Sequence, residues 1–211
     1  MRKSLGYVFF CICFLIAIKG LSFGSPILKG AKLPSIRLLI PADPVERDYL
    51  RLSGKGYFNI PDIKANAVII HVFSSYCPTC HTTAMEMIEL FYKVETHPEF
   101  KEKMKFIGIG AGNTAGEVQA FKETYNIPFP LFSDKDFEIH SAFGNVRTPH
   151  LFAVKIEKGG KTQVVYTQSG GWREVDEFLE LMIKVCGLNV DDSRGWGKSA
   201  AISVAEDLKA K

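Results

Sequence analysis

The alternation of apolar and polar positions divides this chain into a short series of elements. Ala67-Val-Ile-Ile-His-Val-Phe73 is an almost unbroken apolar run rich in β-branched residues, which reads as a strand buried on both faces. Pro78 suits the first position of a helix. Behind it Ala84, Ile88 and Phe91 recur at helical spacing, so a helix is expected from there to a stop before Pro98. Lys105-Phe-Ile-Gly-Ile109 is a second buried strand. Asn113 or Thr114 is placed to cap the next helix, on which Val118, Phe121 and Tyr125 share a face. Pro128 and Pro130 bracket a short segment into Leu131-Phe132, and a brief helix is expected over 136–143. His150–Val154 and Gln163–Tyr166 read as an antiparallel hairpin turning at Gly159-Gly160. A final helix over 172–186 carries Val175, Phe178, Leu179, Met182 and Val185 on one side. Residues 25–66 form a Pro-punctuated lead-in with short extended stretches at 38–40 and 57–60 and a short helix at 45–52. The order βα, βα, ββα predicts an α/β fold with a mixed central sheet flanked by helices and an extra N-terminal extended segment.

The ends follow a different pattern. Arg2 and Lys3 precede residues 4–18, which carry no charge, and Lys19 closes the run. That run is short of the roughly 20 residues of a spanning helix and fits a signal peptide over 1–24. Small residues in Gly20-Leu-Ser22 and Ser22-Phe-Gly24 offer cleavage sites; an uncleaved signal anchor, tethering the body to a membrane through residues 4–18, is the alternative. Either reading places the body in a periplasmic or other extracytoplasmic compartment, where disulfides persist. Residues 188–211 hold few large apolar side chains and read as a loosely held tail.

Charge then narrows the function. The formal net charge is +3, and Arg2, Lys3 and Lys19, with no acid among residues 1–24, account for all of it. The remaining body is neutral, which argues against a nucleic-acid partner.

Of the five cysteines, Cys11 and Cys13 fall in the leader, leaving Cys77, Cys80 and Cys186. Three are too few for a disulfide framework, and one local pair in an oxidising compartment points to working redox chemistry. Cys77-Pro78-Thr79-Cys80 sits where a strand feeds a helix. Cys77 then lies at the helix N-terminus, where free N–H groups and the helix dipole favour a thiolate. Cys80, one turn on, is placed to attack a mixed disulfide formed at Cys77. Cys186 falls on the apolar stripe of the last helix and reads as a buried thiol.

The run His71-Val-Phe-Ser-Ser-Tyr-Cys-Pro-Thr-Cys80 resembles the active-site strand and turn of the thioredoxin superfamily, with Tyr76 where many members carry Trp. Gly144-Asn-Val-Arg-Thr-Pro149 is similar to the loop before that family's cis-proline, with Thr148-Pro149 as the matching pair. Residues 103–133 resemble the extra strand and helix of the exported TlpA/ResA-like redoxin branch. The resemblance covers about 33–187 and implies a thioredoxin-like domain there. It further implies a thiol-disulfide oxidoreductase with no metal or organic cofactor, Pro149 in the cis form facing Cys77, and Tyr76, Pro78, Thr79 and Thr148 as active-site support. Exported protein disulfides are the implied substrates. Reduction is the expected direction, with electrons from another thiol protein such as a membrane reductase. His71 stands where thioredoxins carry a buried Asp; it reads either as a core residue or as a neutral relay for the Cys80 proton. The first acid after the pair is Glu86.

Three rivals remain. Cys77-Pro-Thr-Cys-His81 also spells the c-type haem attachment pattern, with His81 as iron ligand; otherwise His81 is a solvent-facing helical residue or an electrostatic tuner of Cys77. A peroxiredoxin-like peroxidase would want Pro and Thr where this chain has Ile70 and Ser74. A copper-binding role would pair the cysteines with a distant His such as His140 or His150. His150 also reads as a liner of the substrate groove.

Overall fold

The computed structural model describes residues 26–188, apart from 173. The expected leader over 1–24 and the tail beyond 188 lie outside the described residues.

Five strands form the central sheet: β3 (Ala67–Phe73), β4 (Met104–Ala111), β5 (Leu131–Asp134), β6 (His150–Ile156) and β7 (Thr162–Ser169), in the order β5-β4-β3-β6-β7. The first three run parallel, and β6 and β7 are antiparallel to their neighbours. A small antiparallel ribbon of β1 (Leu38–Leu39) and β2 (Tyr57–Phe58) precedes them, with helix α1 (Pro44–Tyr49) between. Helices α2 (Pro78–Glu95), α3 (Ala115–Tyr125), α4 (Glu138–Ala142) and α5 (Val175–Cys186) complete the described chain.

The two sheet faces are covered differently. Ala67, Ile69 and Phe73 face α2, α3 and α5, meeting Leu90, Phe121 and Leu179 among others. Val68, Ile70 and Val72 face the lead-in, whose Leu33, Ile36, Leu38, Leu50, Phe58 and Ile60 close over them. Every residue of β3 is buried, as its uninterrupted apolar run requires. Leu131-Phe132, bounded in sequence only as a short segment, opens β5, an edge strand paired to β4 from Gly108 onward. The outer edge of β4 before Gly108 is open; there the hydroxyl of Tyr49 takes the Phe106 N–H at 2.8 Å and blunts the edge.

Several expected boundaries shift. The last helix begins at Val175 instead of 172, because Trp172 leaves the helical path to stack on Phe178, ring centroids 4.3 Å apart. The packed body is also slightly wider than 33–187. Gly30 and Ala31 hydrogen-bond Val164, and Leu188 is buried in the core.

Candidate active site

Sheet register brings the chemistry together. The parallel pairing of Phe73 with Gly110 sets Ser74–Cys77 beside the loop that leaves β4, at the carboxyl ends of two parallel strands. The antiparallel pairing of Val72 with His150 brings the start of β6, and hence Thr148-Pro149, to the same end. His150 pairs with Ser169, so the residues after β7 complete the rim, and the Gly170 N–H donates to the Pro149 carbonyl at 2.8 Å. The Thr148–Pro149 peptide is cis, as the resemblance implies.

Cys77 is the N-cap residue of α2 and Pro78 occupies its first turn. Both cysteines are free thiols, Cys77 half-buried and Cys80 buried. The Sγ of Cys77 lies 3.5 Å from the carbonyl oxygen of Thr148. Partial burial pushes the Cys77 thiol up, but this is outweighed by hydrogen bonding from Cys80, by Thr148 and by the backbone at Thr79. The net result is a thiol held below its ordinary value. Cys80 goes the other way: burial, then the neighbouring Cys77, pushes its thiol up to about 12. Cys77 is therefore the more readily ionised sulfur of the pair, and Cys80 holds its proton at neutral pH.

The supporting residues divide. Tyr76 is 70% exposed and its hydroxyl donates to Glu117 at the start of α3. Thr79 is exposed, and its carbonyl accepts from the Thr83 hydroxyl at 2.9 Å. His71 is buried on the α2 side of β3, its ring against Phe73; its Nε2 has no hydrogen-bond partner, and burial lowers its pKa to about 4. Glu86 packs against the Gly171–Trp172 turn, where burial raises its carboxyl despite a hydrogen bond from the Trp172 backbone.

His81 is not the solvent-facing helical residue expected of its position. Its Nε2 lies 3.0 Å from the Ser75 carbonyl and its Nδ1 2.5 Å from the Tyr125 hydroxyl, and the ring packs edge-on to Phe121. The carbonyl only accepts, so Nε2 carries the proton and donates. With both ring nitrogens engaged and Cys80 buried, this geometry does not suit haem attachment. His150 does not line the groove either: it is buried beside Phe152, its nitrogens taken up by Ser169 and Thr167. His140 bonds the Val146 carbonyl at 2.7 Å. Among the described residues no cluster of three His, Cys, Asp or Glu is arranged to hold a metal. Ile70, at the place a peroxidase would want Pro, faces the opposite side of the sheet from Cys80.

Asn113 escaped the sequence reading, which offered it as a helix cap. Thr114 is the cap, and Asn113 turns back to Ser75, accepting its N–H at 2.9 Å and donating to its hydroxyl at 2.8 Å. The available signal was positional: a polar residue just past the end of a parallel strand adjoining the active-site strand.

The AhpC/TSA family model matches residues 49–158, slightly more than half of the chain. The chain belongs to the AhpC/TSA family. Among its relatives, the thiol-disulfide oxidoreductase ResA of Bacillus thuringiensis subsp. konkukian is 31% identical over 130 residues, covering 61% of this chain and 70% of that relative. ResA of Halalkalibacterium halodurans is 27% identical over 124 residues, covering 57% of this chain and 65% of that relative, just under two thirds of its length. A solved structure titled as a putative thiol:disulfide interchange protein DsbE from Chlorobium tepidum superposes with a TM-score of 0.55 at 19% identity, covering 76% of this chain and 98% of its own. The fold is thus thioredoxin-like and the chain a ResA-like thiol-disulfide oxidoreductase of this family. Among the described residues no helix is long and apolar enough to cross a membrane.

Proposed function

We propose that this AhpC/TSA-family oxidoreductase is exported and reduces disulfides of other exported proteins. The observation that carries the reading is the asymmetry of the pair: an accessible Cys77 held below its ordinary pKa at a helix N-terminus, and a buried Cys80 held above its own.

The Cys77 thiolate attacks one sulfur of a substrate disulfide, forming a mixed disulfide and releasing the first substrate thiolate. The Cys80 thiol gives up its proton as its sulfur attacks Cys77. That step forms the Cys77–Cys80 disulfide and releases the second substrate thiolate, which takes a proton. Two electrons pass to the substrate, and a partner dithiol, such as that of a membrane reductase, returns two to reset the enzyme. Thr148 and cis-Pro149 flank the reacting sulfur and align the incoming chain, with Tyr76, Pro78 and Thr79 forming the surface around it. His71 acts by packing: a ring that binds a proton only near pH 4 is a weak acceptor for a thiol near 12.

The deciding experiment is the reduction potential of the pair, read by alkylation and mass after equilibration in graded thiol buffers. A value near about −270 mV supports a reductase that must be fed electrons, whereas one near about −120 mV reverses the flow and makes it an oxidant. Export is tested by sequencing the N-terminus of the mature protein from the extracytoplasmic fraction; recovery only from the cytoplasm would reject it.

A further inference from the structure

We propose that Asn113 and His81 are positioning residues that set the reactivity of Cys77 by gripping Ser75 from opposite sides. The proposal rests on the functional reading of Cys77 given above.

Ser75 lies two residues before the attacking sulfur, in the segment that joins β3 to α2. All three of its polar groups are taken by side chains. Its N–H and its hydroxyl go to Asn113 at 2.9 and 2.8 Å, and its carbonyl goes to the His81 Nε2 at 3.0 Å. Neither partner is loose. Asn113 is fully buried, and its own carbonyl accepts from the Ser133 hydroxyl of β5 at 2.6 Å. Gly110 makes room for it: a Cβ there would stand 3.2 Å from the Asn113 Cβ and 2.7 Å from Val118. His81 is held by the Tyr125 hydroxyl at the far end of α3 and by the edges of Phe121 and Tyr125.

The rest of the segment is tied by the turn from the Cys77 N–H to the Ser74 carbonyl at 3.0 Å and by the exposed Tyr76 hydroxyl, which donates to Glu117. The groups that hold the Cys77 thiol low, the Cys80 thiol, the first backbone N–H groups of α2 and Thr148, act only if the sulfur is held beside them. A slack Ser75 lets Cys77 swing off that position. The strand and helix that follow the active site, β4 and α3, therefore supply the clamp through Asn113 and Tyr125.

The test compares N113A, H81F and H81Q with wild type. Gln carries an amide nitrogen at about the reach of the imidazole Nε2 and keeps a donor for the Ser75 carbonyl; Phe keeps the ring packing and loses the donor. The readouts are the rate of Cys77 alkylation by iodoacetamide at pH 7, resolved by site in mass spectrometry, and its pH profile. Each clamp bond lost should slow alkylation roughly five- to ten-fold, and move the profile to higher pH. H81Q should return to within about two-fold of wild type, and N113A/H81F should lose less than the product of the single losses, because both act through one residue. Wild-type rates in N113A and H81F, or an H81Q as slow as H81F, would overturn the proposal. If N113A does not fold, the H81F and H81Q pair decides it. Alkylation needs no protein partner, so an enzyme inactive on protein disulfides would refute the proposed function while leaving this test readable.

Discussion

The carbonyl oxygen of Thr148 stands 3.5 Å from the Sγ of Cys77, although 71 residues separate them in the chain. The antiparallel return of β6 alongside β3 produces that contact, and sets the Thr148-Pro149 loop beside the more accessible of the two sulfurs. Cys77→Ser is expected to reduce thiol-disulfide exchange to the uncatalysed rate. Cys80→Ser should instead accumulate a mixed disulfide at position 77, visible as a mass adduct removed by dithiothreitol. Exchange activity retained by Cys77→Ser would show the roles to be wrongly assigned.

The opposite pKa displacements of the two thiols make a second prediction. Alkylation of Cys77 as a function of pH should show a midpoint below that of an ordinary thiol, while Cys80 in the reduced protein stays unreactive up to about pH 12 or to unfolding. Equal reactivity of the two sulfurs at pH 7 would contradict the asymmetry.

Buried imidazoles should make the fold acid-sensitive. Burial lowers His71 from 6.5 to about 4, so below pH 6.5 the unfolded chain binds a proton that the folded chain refuses. The stability is complete above 6.5 and drains as pH falls toward 4, by about 3 kcal/mol for this one group. His150, lowered to about 4 by burial and by His140, acts in the same window. Urea melts at pH 7 and pH 4.5 measure the loss. His71→Leu should flatten part of that slope and leave exchange activity within a few-fold of wild type. A hundred-fold loss of activity would instead make His71 a proton relay.

Tyr49→Phe tests the capped edge of β4. Removing the hydroxyl leaves the Phe106 N–H without its partner and should cost about 1–3 kcal/mol in a denaturant melt, with little change in exchange rate. An unchanged midpoint would mean that water serves the edge equally well.

Much of this was readable from residue patterns. The β3 run, the Pro78 start and the Gly159-Gly160 hairpin declared the frame because burial on both faces, a fixed proline φ and a glycine turn are local properties. The cysteine pair was equally legible, since its chemistry depends on one turn of helix. What stayed hidden depends on register. Nothing near Asn113 in the chain announces Ser75, 38 residues earlier; only the pairing of Phe73 with Gly110 places them together. His81 looked like a helix-surface residue because its partner Tyr125 lies 44 residues on. The start of the last helix was misplaced for a similar reason: Trp172 has helical neighbours in sequence, but its ring is drawn to Phe178.

The lead-in has a bearing on where the foldable unit begins. The family match starts at residue 49, yet Leu33, Ile36 and Leu38 are already 2–4% exposed beneath the sheet face that carries Ile70 and Val72. A fragment cut at the matched boundary would strip those three side chains away and open a greasy surface on the reverse of the active-site sheet. It would retain every reacting group and still aggregate. For this chain the limits of autonomous folding are drawn by the reverse face of the sheet, on the far side from the two sulfurs.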